Sequence, residues 1–238
     1  MAEGVSEPLR LLPESVDTVP APIHNTTSPS PVWPDDEVFA HALHHGTGLD
    51  LLHHNGHRVP LAVHRWLAAP DRADESLLQR CSGRTLDIGC GPGRFSIALA
   101  QRGIFCLGID VTSKAVELAR SNGANVLCAS VFDPLPTEGE WDTVLLADGN
   151  LGIAGDPDRL LARAHHLLRA GGRLLVEAAV SDVDEVVPVQ LSNGSGNSGV
   201  FHWAHVGAEA AVQRARAVGF SHTETWRSLG RVFVSFDR

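Results

Sequence analysis

Arg84-Thr85-Leu86-Asp87-Ile88-Gly89-Cys90-Gly91-Pro92-Gly93-Arg94 is the stretch on which the fold turns. A short apolar run with Thr85, Leu86 and Ile88 leads into three glycines at alternate positions, and an amphipathic run from Phe95 to Arg102 follows. The pattern predicts strand, glycine turn and helix. Residues without a Cβ let the backbone turn sharply and let a ligand lie against it, while the helix start adds unpaired N–H groups. A dinucleotide fingerprint spaces its glycines G-x-G-x-x-G, which this stretch does not. Asp87 falls at the carboxyl end of the strand, where α/β sheets bind ligands. A carboxylate there repels a pyrophosphate and suits a cation such as an ammonium or sulfonium.

A second strand, ending Leu107-Gly108-Ile109-Asp110-Val111-Thr112, adds another carboxylate. An acid roughly 20 residues after the turn is how nucleotide-binding α/β units grip ribose hydroxyls. Together, Leu86 to Gly93 and Leu107 to Thr112 resemble the first two motifs of class I S-adenosylmethionine (SAM) dependent methyltransferases. The resemblance runs from Cys81 to the C-terminus and is specific in its first half. It implies an α/β fold: a Rossmann-like seven-stranded, mostly parallel sheet with helices on both faces and an N-terminal helical cap.

The resemblance also implies SAM as cofactor, held by Asp87, Gly89, Cys90, Gly91, Gly93, Asp110 and Val111, with Asp110 on the ribose. Ser130-Val131-Phe132 after the third strand falls where the family keeps its adenine site, with Ser130 in place of the usual acid. Asp148-Gly149-Asn150, after the fourth strand Trp141 to Ala147, falls where the family faces the methyl group. Methyltransferases of planar amino groups carry two prolines and an aromatic here; this chain has neither the prolines nor any tyrosine, so that class is disfavoured. A basic residue some 20 positions before the turn can pair with the SAM carboxylate, and Arg65 has the bidentate geometry for it. Arg65 as a surface residue beside a packed Trp66 is the competing reading.

The composition narrows the field. A chain of 238 residues with 43% hydrophobic content can build one sizeable core. A formal charge of −9 argues against binding to phosphate backbones, so no nucleic-acid partner is expected. The cysteines, Cys81, Cys90, Cys106 and Cys128, form no CxxC pair and read as reduced thiols. No apolar run reaches the ~18 residues a membrane helix needs, and the N-terminus lacks a basic start followed by an apolar stretch. A cytoplasmic protein without membrane contact, monomer or homodimer, is expected.

Proline-rich residues 1–34 read as a disordered or loosely packed tail, 35–80 as the helical cap or lid, and 81–238 as the SAM-binding domain. Asp35 or Asp36 can cap a helix ended by Gly46. The cap holds His41, His44, His45, His53, His54, His57 and His64. His41 and His45 share a helix face, but without Cys or carboxylate partners at ligand spacing no metal is expected. Strands are expected over Ile104 to Ile109, Asn125 to Ala129 and Arg173 to Ala179. Helices are expected over Ser113 to Arg120, from Asp156-Pro157, and over Gly207 to Val218, with a closing hairpin around Gly230. Ser192 to Gly199 reads as a flexible loop.

The function expected is methyl transfer from SAM to a small-molecule acceptor, by O- or C-methylation. A hydroxyl acceptor needs a base, for which His202, His205 and Asp148 are the catalytic candidates. His202 and His205 as solvated residues around a packed Trp203 remain an alternative. Rivals are transfer of the aminocarboxypropyl arm or cyclisation of SAM, a nicotinamide oxidoreductase, and a SAM-binding regulator without turnover.

Overall fold

The computed structural model describes residues 36–238. The expected tail and the cap at Asp35 lie outside the described residues. In chain order the elements are α1 (Asp36–His45), β1 (Leu49–His53), β2 (Arg58–Leu61), α2 (Val63–Trp66), α3 (Arg72–Leu78), β3 (Thr85–Ile88), α4 (Arg94–Gln101), β4 (Cys106–Asp110), α5 (Ser113–Ser121), β5 (Val126–Cys128) and β6 (Trp141–Leu146). Kinked 3-10 turns at Asn150–Gly155 precede α6 (Pro157–Leu167), β7 (Leu168–Ala178), β8 (Asp184–Ser192), β9 (Phe201–Val206), α7 (Ala208–Ala217), β10 (Ser221–Ser228) and β11 (Arg231–Asp237).

A seven-stranded sheet runs β10-β11-β7-β6-β3-β4-β5. β7 through β5 are mutually parallel, and the β10–β11 hairpin adds antiparallel to β7. The inner strands alternate between two cores, as a period of two requires. Val144, Leu146, Leu174 and Val176 pack with Leu160, Leu161 and Ala211 on one face; Leu145 and Leu175 pack with Leu77, Phe95 and Leu99 on the other. The helices start where their caps allow. Asp71 accepts from the amides of Ala73 and Asp74 in a capping box, and Asp156 accepts from the Arg159 amide with Pro157 in the first turn. β7 begins at Leu168, earlier than expected: Leu168 pairs with Trp141 ahead of a register shift, and a Cβ on Gly172 would stand 2.9 Å from the Trp141 carbonyl oxygen.

The N-terminal segment departs from an all-helical cap. After α1 the chain forms the antiparallel pair β1–β2, and β1 joins β8 and β9 in a second sheet of order β2-β1-β8-β9. The turn carries Asn55-Gly56, with Gly56 at φ +82°, the local sequence that best supports a tight hairpin. Side chains of Leu51, Val189, Leu191 and Phe201 bury one face of this sheet against Val38, Ala42 and Leu43 of α1 and Ala115 of α5. Close approach holds its other edge: a Cβ on Gly152 would collide with the Trp203 indole and the Ala204 carbonyl. The second sheet therefore lies over the carboxyl ends of β3, β4 and β6.

Candidate active site

The glycine turn is tied down from three sides. The amides of Gly89 and Cys90 both donate to the Ile109 carbonyl, at 2.8 and 3.0 Å. Asn150 Nδ2 donates to the carbonyls of Ile88 (2.8 Å) and Gly89 (3.0 Å), and a Cβ on Gly89 would sit 2.5 Å from that nitrogen. Asp110 accepts from the Gly91 amide through Oδ2 (2.9 Å) and from the Thr112 amide through Oδ1 (2.8 Å). Gly91 has φ +51° and nothing within 4 Å of where its Cβ would stand. Its open side borders a cavity of about 300 Å³.

Behind the turn lies a buried ionic cluster. Arg94 pairs with Asp74 and, at 2.5 Å, with Asp148. Arg231 makes a bidentate pair with Glu177, 2.7 Å on each arm, and reaches Asp74 at 2.6 Å. Arg65 Nη2 donates to Asp148 Oδ1 at 2.8 Å. The guanidinium groups of Arg65, Arg94 and Arg231 thus face the carboxylates of Asp74, Asp148 and Glu177, with Asp71 3.4 Å from Arg231 at the edge. Asp148 itself sits at φ +53°, a left-handed conformation that costs a non-glycine residue about 1–3 kcal/mol unless its surroundings hold it. Here they do: its amide donates to Glu177 at 2.7 Å while Arg65 and Arg94 grip its carboxylate.

Asp87 is buried, and Oδ2 accepts from the Ser96 hydroxyl at 2.8 Å. Burial pushes its carboxyl up to about 7, with the Asp148 and Asp110 carboxylates adding to the rise and Ser96 and Arg94 opposing it. Arg94 and Arg231 are raised by their carboxylate partners despite burial, and so stay charged.

The cavity has two unlike halves. Asp87, Gly89, Cys90, Gly91, Asp110, Val111, Val131, Asp148 and Asn150 line the half over the turn, together with Arg94 and Thr112. The other half is apolar, walled by Phe39 and Trp66 and, from the covering sheet, by Leu51, Val59, Leu61, Leu191, Phe201 and Trp203, with His205 its one polar side chain. His205 is shifted below the ordinary imidazole range by burial and by the neighbouring His53, against a smaller pull from Glu185.

Several expected site residues sit elsewhere. Gly93, at φ +89°, heads α4 beneath the turn. The Ser130 hydroxyl accepts from the Phe132 amide, and the Phe132 ring lies 4.1 Å under the Arg159 guanidinium, outside the cavity lining. Arg65 stands behind Asp148, and His202 is exposed with its Cβ against Gly155. Of the cap histidines only His53 is half-buried; His41, His44, His45, His54, His57 and His64 are exposed. Cys81, Cys90 and Cys106 are buried free thiols, and burial pushes Cys81 up to about 12. Arg94, Arg231, Asp74 and Glu177 were not expected at the site; only the Arg directly after the last glycine was a visible hint.

A mostly parallel sheet, a glycine turn after its central strand and an acid at the end of the next strand define the Rossmann-like, class I methyltransferase fold. Residues 85–172 match the family model described as a methyltransferase domain. The ubiquinone biosynthesis O-methyltransferase of Bordetella avium (strain 197N) is 31% identical over 96 residues, which is 37% of this chain and 39% of that protein. The protein of the same name from Pseudomonas aeruginosa (strain LESB58) is 28% identical over 137 residues, 55% of this chain and 52% of that one. The chain thus spans about half or less of the length of these curated relatives. Among solved structures, a SAM-dependent methyltransferase from Bacteroides fragilis in complex with S-adenosyl-L-homocysteine superposes with TM-score 0.72 at 17% identity, covering 84% of this chain and 92% of that one. The Burkholderia thailandensis 1,6-didemethyltoxoflavin-N1-methyltransferase gives TM-score 0.59 at 20% identity, covering 85% and 86%. At these identities the structural likeness is one of fold.

Proposed function

We propose that this chain is a SAM-dependent methyltransferase that methylates a small organic acceptor, by O-methylation. The observation that carries the reading is a single cavity joining an acidic, glycine-floored half to an apolar half. The residues present suit SAM. The open face of Gly91 admits a nucleoside against the main chain, and Asp110, whose oxygens already take two amides, has lone pairs left for ribose hydroxyls. Asp87 and Asp148 place carboxyl oxygens where an ammonium can donate to them, and a bound cation would favour the ionised form of Asp87.

Bound SAM supplies a methyl group on a sulfonium, so alignment in a dry cavity is the main task left to the protein. The covering sheet excludes water and sets the acceptor's approach. Asn150 locks the turn, and the ionic cluster fixes Asp148 at the junction of the two halves. A hydroxyl acceptor must lose a proton, and His205, on the cavity wall and held toward its neutral form, can take it at Nε2. The O-methyltransferase names of the curated relatives support oxygen as the atom methylated.

Calorimetric titration with S-adenosylhomocysteine tests the donor half. Charge-assisted hydrogen bonds contribute about 1.5–3 kcal/mol each, so losing two from Asp110 weakens binding by roughly 100-fold or more. Asp110→Ala and Gly91→Val, each checked for native circular dichroism, should show that loss, and unchanged affinity in both would refute the assignment. Product analysis should find S-adenosylhomocysteine; methylthioadenosine would indicate the other SAM chemistries.

A further inference from the structure

The apolar half of the cavity ends in an imidazole pair that the donor-site reading does not use. His205 on β9 stacks on His53 of β1, ring centroids 5.6 Å apart and planes within 9°. The Nε2 atoms of both rings are buried, and neither has a hydrogen-bond partner among the described residues. An orphaned polar atom on a side chain at the end of an otherwise apolar chamber is costly unless something bound there satisfies it. His205 lines the cavity and His53 stands behind it. The register of the covering sheet puts Leu51 and His53 of β1, Val189 of β8, and Phe201, Trp203 and His205 of β9 on one face.

Building on the proposed methyl transfer, we infer that the acceptor is an uncharged, flat, largely apolar molecule bearing a hydroxyl that hydrogen-bonds to His205 Nε2, with His53 as the positioning residue that holds the imidazole. Two aromatic pairs, Phe39 with Trp66 at 5.9 Å and Phe201 with Trp203 at 6.3 Å, supply ring surface for a flat body. The ionisable groups Asp87, Arg94, Asp110 and Asp148 all line the half over the glycine turn, so a charged acceptor in the apolar half would give up its hydration with no counter-ion beside it. A hydroxyl also answers either tautomer of His205, since it can donate or accept; a carboxylate only accepts and an ammonium only donates.

The test is equilibrium dialysis of the wild-type protein, saturated with S-adenosylhomocysteine, against 2-naphthol, 2-methylnaphthalene, 2-naphthoate and 2-naphthylmethylammonium. The expected order is 2-naphthol at least 10-fold tighter than the hydrocarbon, and the hydrocarbon tighter than either ion. In His205→Phe the hydrocarbon should still bind and the naphthol advantage should vanish, while His205→Gln, which keeps a hydrogen-bonding group, should restore part of it. His53→Leu should cut the advantage at least threefold with S-adenosylhomocysteine affinity unchanged, a selectivity change that loss of packing alone does not produce. Tighter binding of an ion, or a naphthol advantage that survives in both His205→Phe and His53→Leu, would overturn the inference. Loss of S-adenosylhomocysteine binding by the wild type would refute the donor reading alone, because the probe order measured without it still decides the chamber.

Discussion

Replacing Arg231 with Met removes one guanidinium from the buried cluster and leaves a side chain of similar length. Arg231 lies 9% exposed, with both arms on Glu177 and a third bond to Asp74, which is fully buried. After Arg231→Met, Glu177 keeps, among the described residues, only the Asp148 amide, and Asp74 keeps Arg94 and the Asp71 amide. Stripping one partner from a buried ion pair costs about 3–5 kcal/mol, because the partner's charge stays behind. For a domain of this size that corresponds to a drop in Tm of roughly 6–20 °C. Urea and thermal unfolding measure the loss, and the partner change Glu177→Gln separates charge from packing. The double variant should be more stable than Arg231→Met alone, with a coupling of about 1 kcal/mol or more. A loss under about 1 kcal/mol in Arg231→Met, or additive behaviour of the two changes, would refute the view that this cluster is a balanced set of charges.

Asp87 makes stability fall as pH rises. Its folded carboxyl titrates near 7 against 3.8 unfolded, so between those values the native state holds a proton that the unfolded chain has released. Stability should therefore decline across that window, by at most about 4 kcal/mol, and level off above it. Asp87→Asn, which keeps an oxygen for Ser96, should flatten the slope in urea melts from pH 4.5 to 8. A second variant addresses the covering sheet. Gly56→Val, placing a β-branched residue at φ +82°, should destabilise the β1–β2 hairpin by about 1–2 kcal/mol and weaken naphthol binding, while S-adenosylhomocysteine affinity stays within twofold. A third concerns Asn150: Asn150→Ala removes both clamps on the glycine turn and should weaken S-adenosylhomocysteine about 30-fold, about 1 kcal/mol per lost hydrogen bond, by calorimetry.

The central βαβ unit was legible because its signals are local. Strand, glycine turn and helix follow one another from Thr85 to Gln101, and Asp110 closes the next strand. The hairpin at Gly230 and the cap at Asp156 were legible for the same reason. The covering sheet was not, since β1 finds its partner β8 more than a hundred residues away and its strands are short. Asn55-Gly56 did mark the β1–β2 turn, but the surrounding histidines drew the reading toward a polar helix or lid. Arg94 and Arg231 escaped notice because arginine is ordinarily a surface residue, and only Asp74, Asp148 and Glu177, arriving from other elements, make their burial tolerable.

The two halves of the cavity are written in different parts of the chain. Every donor-side residue at the glycine turn falls within 85–172, whereas the aromatic and aliphatic walls come chiefly from before 67 and after 190. Descendants of one ancestor could therefore rewrite the flanks and change what the apolar half admits, without disturbing the glycine turn and its acids. Kinship traced through the middle of this chain is inheritance of the glycine-floored half, and the shape of the other half is left to the margins.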